Sequence, residues 1–186
     1  MLKKFLRFLG AVDGEDRQMW FLLGVGAFMG FFLASYQVGS ESLFIQTLGE
    51  KYLAESFFVT GALGLLSSVV YVYLQKKIRF SRLVIGNAAV ITLFVCGFRL
   101  AFEFFEMGDK ESGFALLPFL LFVMMGPMTS LLLLGFWGLF GRIFDTRQTK
   151  RLIGSVDTGQ LVATIVAFFS IPLLIELPFV DDTYDL

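Results

Sequence analysis

The sequence contains no histidine and a single cysteine, Cys96. A Ser-His-Asp or Cys-His catalytic set needs a histidine, and a disulfide or a Cys/His metal site needs more than one such residue. The chain also has no GxxxxGK[ST] phosphate-binding loop and no GxGxxG dinucleotide motif after a strand. These absences argue against an enzyme, and we expect no metal or cofactor.

Charged residues are scarce as well, at 17% of the 186 residues, whereas soluble domains carry about 25%. Hydrophobic residues make up 56% of the chain, and 24 of them are Phe. The apolar residues gather in five long runs, and a helix needs about 20 such residues to cross a hydrocarbon core. We therefore predict an all-α integral membrane protein with five transmembrane helices, at residues 19–38, 53–74, 83–105, 113–140 and 152–174.

These runs divide the chain into three parts. Residues 1–18 are predicted to form a short basic interfacial helix and a polar linker, because residues 1–10 would span only about 15 Å as a helix. Residues 19–176 form the predicted transmembrane domain. Residues 177–186 are predicted to be an acidic tail on the exterior side.

Lys and Arg are concentrated in alternate connections between the spans. Short loops rich in these bases stay in the cytoplasm, so we expect a multi-pass protein with a cytoplasmic N-terminus and an exterior C-terminus. Since the bases serve topology in a lipid bilayer, no nucleic-acid partner is expected. Only Lys51 and Lys110 lie in the opposite connections, against twelve bases on the cytoplasmic side: Lys3, Lys4, Arg7, Arg17, Lys76, Lys77, Arg79, Arg82, Arg142, Arg147, Lys150 and Arg151.

Two features of the spans concern helix packing. Gly26 and Gly30 have the GxxxG spacing that lets helices approach closely in lipid, and it favours packing within the chain over dimerisation. Gly126 and Pro127 lie at the middle of the unusually long fourth run. Since neither half of this run could cross the hydrocarbon core alone, we predict one tilted or kinked helix there.

Polar residues inside the spans are candidates for a substrate pathway. Arg99 and Glu103 are four residues apart in the third span, so they lie on one helix face and can pair. An ionisable residue within a span is a functional candidate, but Arg99 is also near enough to the span's end to reach the headgroups. A structural pair and a pathway site are both open. Asn87 and Gln37 are further pathway candidates.

The connection between the fourth and fifth spans holds the densest polar cluster of the chain. Its charged residues can form salt bridges that break as helices move during alternating access. The alternative is a solvated loop that serves topology alone. This predicted cytoplasmic gate loop comprises Arg142, Asp145, Arg147, Lys150 and Arg151, together with Asp157 at the start of the fifth span.

The string GRIFDTRQTKRLIGSVDTGQ of this connection resembles the loop between the fourth and fifth helices of the nucleotide transporter (ATP/ADP translocase) family. It is more similar still to bacterial relatives within the major facilitator superfamily. The segments GSESLFIQTLGEKYLAESFFVTGALG and YVYLQKK look like that family's first-to-second helix region. The matching positions of the loop are Arg142, Phe144, Asp145, Arg147, Lys150, Arg151, Leu152, Gly154 and Gly159.

The resemblance implies a bacterial inner-membrane transporter built from two six-helix halves that works by alternating access. The implied substrate is a nucleotide or another charged metabolite, with Arg99 as the base facing its phosphates. Five spans fall short of one half, so the chain is expected to act as an incomplete N-terminal half-bundle beside a second transmembrane half or partner membrane subunits. The alternative is a non-transporting anchor or scaffold subunit of a larger membrane complex.

Overall fold

A computed structural model describes residue 12, residues 15–106 and residues 116–175. The predicted interfacial helix at residues 1–10 and the acidic tail at 177–186 lie outside this described part. Its helices are α1 (Asp16–Leu48), α2 (Leu53–Lys77), α3 (Phe80–Glu106), α4 (Leu116–Val123), α5 (Met125–Ile143) and α6 (Thr146–Ile175), with a 3₁₀ turn at Glu50–Tyr52. No strand occurs among the described residues.

The described residues contain five helical segments that are long and apolar enough to cross a membrane, and α4 and α5 together form one of them. Large apolar side chains cover their outer faces. Phe28 is 82% exposed and Phe58 is 79% exposed. Apolar surface of this extent is unfavourable in water but matches a hydrocarbon environment. The all-α, five-span architecture predicted from the sequence is therefore confirmed.

Contacts between helices divide the described residues into two units. The terminal unit comprises the residues up to Ser35 and those from Phe136 onward, so it holds the first half of α1, the end of α5 and α6. The central unit is Tyr36–Gly135, which holds the second half of α1, then α2, α3, α4 and the start of α5.

Helix α1 continues beyond the predicted end of the first span at residue 38, and residues 39–48, expected to belong to the connection between the first two spans, are helical. Leu43 and Phe44 are buried, and the Phe44 ring lies 4.6 Å from that of Phe122. Burial of these two side chains stabilises a helical conformation in residues that were predicted to connect two spans. The helix ends at Leu48, and the next residue, Gly49, has a φ of +76° that is readily adopted only by glycine.

The fourth span is interrupted once, between α4 and α5, at Met124. A tilted or kinked helix was predicted with Gly126 and Pro127 at its middle, and the interruption lies just before them because the proline ring crowds the carbonyl four residues earlier, that of Val123. Backbone hydrogen bonds from Met124 to Leu120 and from Met128 to Met124 persist on either side. The interruption is thus a local break in one span, as predicted.

In the central unit, α2 and α5 approach through small residues on both sides. Gly64 lies against Ser130, where an added Cβ would be 3.2 Å from the serine Oγ. At Gly126, an added Cβ would overlap the carbonyl oxygen of Thr60. Gly61 of α2, in contrast, has open space around it.

In the terminal unit, the GxxxG pair of α1 packs against α6. An added Cβ on Gly30 would lie 2.6 Å from the carbonyl oxygen of Gln160 and 2.9 Å from the Thr164 Oγ1. Gly26 lies against Phe136. The predicted role of these glycines in packing within the chain is confirmed.

Candidate functional site

The predicted gate loop is almost entirely helical. Arg142 belongs to α5, and α6 begins at Thr146, so only Phe144 and Asp145 connect the two helices. The Asp145 N–H donates to the side-chain Oε1 of Gln148 at 2.9 Å. This is the backward half of a capping box, which starts a helix at the residue after the cap. The basic residues taken for a loop therefore lie in helix ends, and Arg147, Lys150 and Arg151 occupy the first turns of α6.

The residue of this candidate site that sequence reasoning missed is Glu15, which immediately precedes α1. Glu15 is 8% exposed. Its carboxylate accepts hydrogen bonds from Gln148 Nε2 at 2.7 Å, from Arg151 at 2.5 Å and from the Val12 N–H at 3.0 Å. The start of α1 is thereby joined to the start of α6. We call Glu15, Gln148 and Arg151 the terminal charge cluster.

The surroundings of Glu15 favour its ionised form. The backbone N–H of Val12 holds the pKa of this carboxyl below its ordinary value of 4.5, and the hydrogen bonds from Arg151 and Gln148 and the positive charge of Arg151 act in the same direction. Burial of the carboxylate opposes them. Glu15 is therefore a fixed negative charge at neutral pH.

The other predicted gate residues lie on the surface of the terminal unit. Arg142, Asp145, Arg147 and Lys150 are all exposed. Asp157 is exposed as well, and it lies well inside α6 rather than at its start, because the helix begins earlier than predicted. The carboxylate that pairs with Arg151 is Glu15, not Asp145.

A sequence signal for Glu15 did exist. The bases at the α5–α6 connection were predicted to lie on the same membrane side as the N-terminal segment, where Asp13, Glu15 and Asp16 supply acids. Treating residues 11–18 only as a linker left those acids without a partner.

The pathway candidates of the central unit are only partly brought together. Arg99 and Glu103 do pair, with 3.5 Å between Arg99 Nη2 and Glu103 Oε1, and their side chains are 46% and 51% exposed. Asn87 instead donates from Nδ2 to the Leu131 carbonyl at 3.1 Å. Gln37 donates to Glu41 Oε1 at 3.1 Å, one turn along α1. The two amides therefore hold helices together or bond locally.

Helix α3, which carries Arg99 and Glu103, is the span that the chain covers least. Only 11% of its most apolar window is buried, against 33% for that of α1. Cys96 is also exposed, three residues before Arg99 and on the same helix face as the ion pair. This α3 face, defined by Cys96, Arg99 and Glu103, is an exposed surface of the central unit.

Among the residues that the structure describes, no group of three or more Cys, Asp or Glu side chains is placed to hold an ion. Comparison with protein-family models, with curated proteins and with solved structures gave no match. A functional assignment therefore rests on the geometry of the terminal charge cluster and of the α3 face.

Proposed function

We propose that this chain is one transmembrane unit of a major facilitator-type transporter, which moves a charged metabolite such as a nucleotide by alternating access. A second transmembrane half completes the pathway along the α3 face. Transport, rather than catalysis, also agrees with the lack of histidine in the sequence.

The observation that carries this proposal is the half-exposed ion pair of Arg99 and Glu103 on the least-covered span. An ionised pair that faces lipid is unfavourable, whereas a pair beside water or a polar partner is not. Arg99 is exposed enough to offer its guanidinium to a phosphate or carboxylate, which it binds through planar, charge-assisted hydrogen bonds.

The terminal charge cluster supports the same proposal. Transporters of this type rock helices about a fixed binding site, and ion pairs between helix ends are made and broken as they do so. Arg151 and Glu15 form such a pair between the start of α6 and the start of α1. In the proposed cycle, their contact holds the terminal unit in one of two arrangements.

A second candidate function is a non-transporting scaffold subunit of a membrane complex. It is favoured by the separate hydrogen bonds of Asn87 and Gln37, which do not converge with Arg99 on one solute site. A scaffold would cover the α3 face with a partner chain, and no substrate would reach it.

Cys96 gives a direct test, because it is the only cysteine and lies on the α3 face. Thiols react with charged methanethiosulfonate reagents only where water reaches them. In membranes containing the whole protein, we expect Cys96 to be modified, and added ATP to slow that modification. Two reference cysteines in a Cys96→Ser background calibrate the assay: Glu50→Cys at a span connection and Val69→Cys on the exposed apolar face of α2.

The reactivity of Cys96 distinguishes the transporter function from the scaffold function. If Cys96 is as unreactive as Val69→Cys and the chain purifies with other subunits in a fixed ratio, the scaffold function is correct. If Cys96 is unreactive and the chain purifies alone, the α3 face lies against lipid and no pathway follows it.

A further inference from the structure

A groove crosses the central unit between α2, α3 and the α4–α5 break, with a volume of about 330 Å³. Ligand sites for small molecules begin at about this size. Its walls are mostly Leu and Val side chains, together with Met124 and Pro127 at the break. Two of its polar side chains bond to backbone, since Ser67 donates to the Gly64 carbonyl and Asn87 to that of Leu131. The groove therefore presents an apolar surface.

The groove opens toward the surroundings of the bundle. Leu66 and Val70 of α2 line it and are 59% and 48% exposed. In a spanning helix, exposed apolar side chains face lipid. An acyl chain can therefore enter the groove from the side.

The turn that connects α2 and α3, next to two residues that line the groove, is strongly basic. Leu74 near the end of α2 and Leu83 near the start of α3 both line it. The eight residues between them contain no acid. They contain four exposed bases: Lys76, Lys77, Arg79 and Arg82. Because this turn joins two spans, it lies at a membrane surface, where phosphates of lipid headgroups are found.

We propose that this groove is a binding site for an anionic glycerophospholipid. One acyl chain lies along the apolar walls beside Val70 and Pro127, and the headgroup phosphate is bound by the basic α2–α3 turn. This site is separate from the α3 face and does not depend on the proposed transport activity.

Charge and position select this occupant. Basic clusters beside membrane spans attract anionic lipids by roughly 1 kcal/mol for each Lys or Arg. The Lys77 ammonium lies 4.5 Å from the centre of the Tyr73 ring, and tyrosines of spanning helices sit at headgroup level. A basic turn serves membrane topology by itself, but here the two helices that it joins also line an apolar groove, through Leu74 and Leu83.

The first test needs no substitution. The full chain, purified in mild detergent, is mixed with phosphatidylglycerol or with phosphatidylcholine of the same acyl chains, and bound lipid is counted by native mass spectrometry. We expect one retained phosphatidylglycerol and much weaker retention of phosphatidylcholine. Equal retention of the two lipids would overturn the proposal.

Two matched pairs of variants locate the site. The double variant Lys77→Gln/Arg79→Gln should weaken phosphatidylglycerol binding roughly fivefold for each base removed. Arg147→Gln/Lys150→Gln, which removes the same charge from α6, should leave it unchanged. Val70→Trp, which fills the groove, should abolish retention of the lipid, whereas Val69→Trp on the neighbouring exposed position should not.

Each variant result bears on the proposal. Equal losses in the two charge variants would mean general attraction to a basic protein, and the proposal would be wrong. Full retention by Val70→Trp would mean that the acyl chain lies elsewhere. Membrane orientation does not affect these measurements, because the detergent-solubilised chain has none.

Discussion

Two Arg–Glu pairs among the described residues have surroundings that differ in almost every respect. Arg151 and Glu15 join helices that are distant in sequence, and Glu15 is buried with further hydrogen bonds from Gln148 and Val12. Arg99 and Glu103 are one turn apart on a single helix, and both are about half exposed. The first pair joins two helices, whereas the second lies within α3, and its half-exposed side chains are accessible to a ligand or a partner.

The glycines show the same difference between regions. Gly30 of α1 and Gly126 of α5 lie at close helix crossings, where a side chain would overlap a neighbouring backbone. Gly86 and Gly97 of α3 have nothing within 4 Å of an added Cβ. Since small residues are what let helices approach in lipid, α3 has the composition for a close contact but makes none through these glycines.

The largest expected effect is at the α2–α5 crossing. In Gly126→Ala, the new methyl overlaps the Thr60 carbonyl oxygen, which belongs to the backbone and cannot rotate away. We expect the free energy of unfolding to fall by about 3 kcal/mol, measured by denaturation in mixed detergent micelles. Gly141→Ala in the same helix meets nothing within 4 Å and should change it by less than about 0.5 kcal/mol.

A smaller decrease in the free energy of unfolding is expected for a substitution at the α1–α6 crossing. The Cβ of Gly30→Ala would lie 2.6 Å from the Gln160 carbonyl oxygen, and the Thr164 hydroxyl beside it can turn aside. We expect a loss of about 2 kcal/mol in the same measurement. Gly24→Ala, six residues earlier in α1, meets no neighbour. If both variants were equally stable, the helices would not be in close contact in the membrane.

Removing the buried charge should have a moderate and pH-dependent effect. Arg151 is 40% exposed, and solvent screens the pair, so Glu15→Gln should lower the free energy of unfolding by only about 1 kcal/mol at neutral pH. Because the pKa of Glu15 is lowered in the folded chain, its contribution is present above its ordinary pKa of 4.5. That contribution is lost as the pH falls through the lower folded-state value.

The measurement is the difference between wild type and Glu15→Gln across this acidic range, which should shrink toward zero as the pH falls. Asp157→Asn, at an exposed position of α6, is the control. Its difference in free energy of unfolding from wild type should not change comparably with pH. A difference that stays constant with pH would mean that the ionised carboxylate does not stabilise the terminal unit.

The spans were predictable because hydrophobic length depends only on local composition, and Leu53 is the first residue of α2 in both the prediction and the structure. The helix ends were less predictable. Residues 39–48 were predicted to lie between two spans, but the burial of Leu43 and Phe44 extends α1 through them. Glu15 was missed for a similar reason, since its role depends on Arg151, which is distant in sequence.

The smallest expected effect on stability is at Arg99, and it distinguishes a structural pair from a functional one. A half-exposed pair four residues apart contributes about 0.3–0.5 kcal/mol to a helix, so Arg99→Gln should unfold almost as wild type does. If the α3 face lines a substrate pathway, the same variant should nevertheless abolish nucleotide uptake by the complete transporter. Glu103→Gln breaks the same pair and keeps the cation, so it is the matched control and should retain Arg99-dependent binding of the substrate. Loss of stability without loss of uptake would make the pair structural, and the pathway would have to follow another face of the bundle.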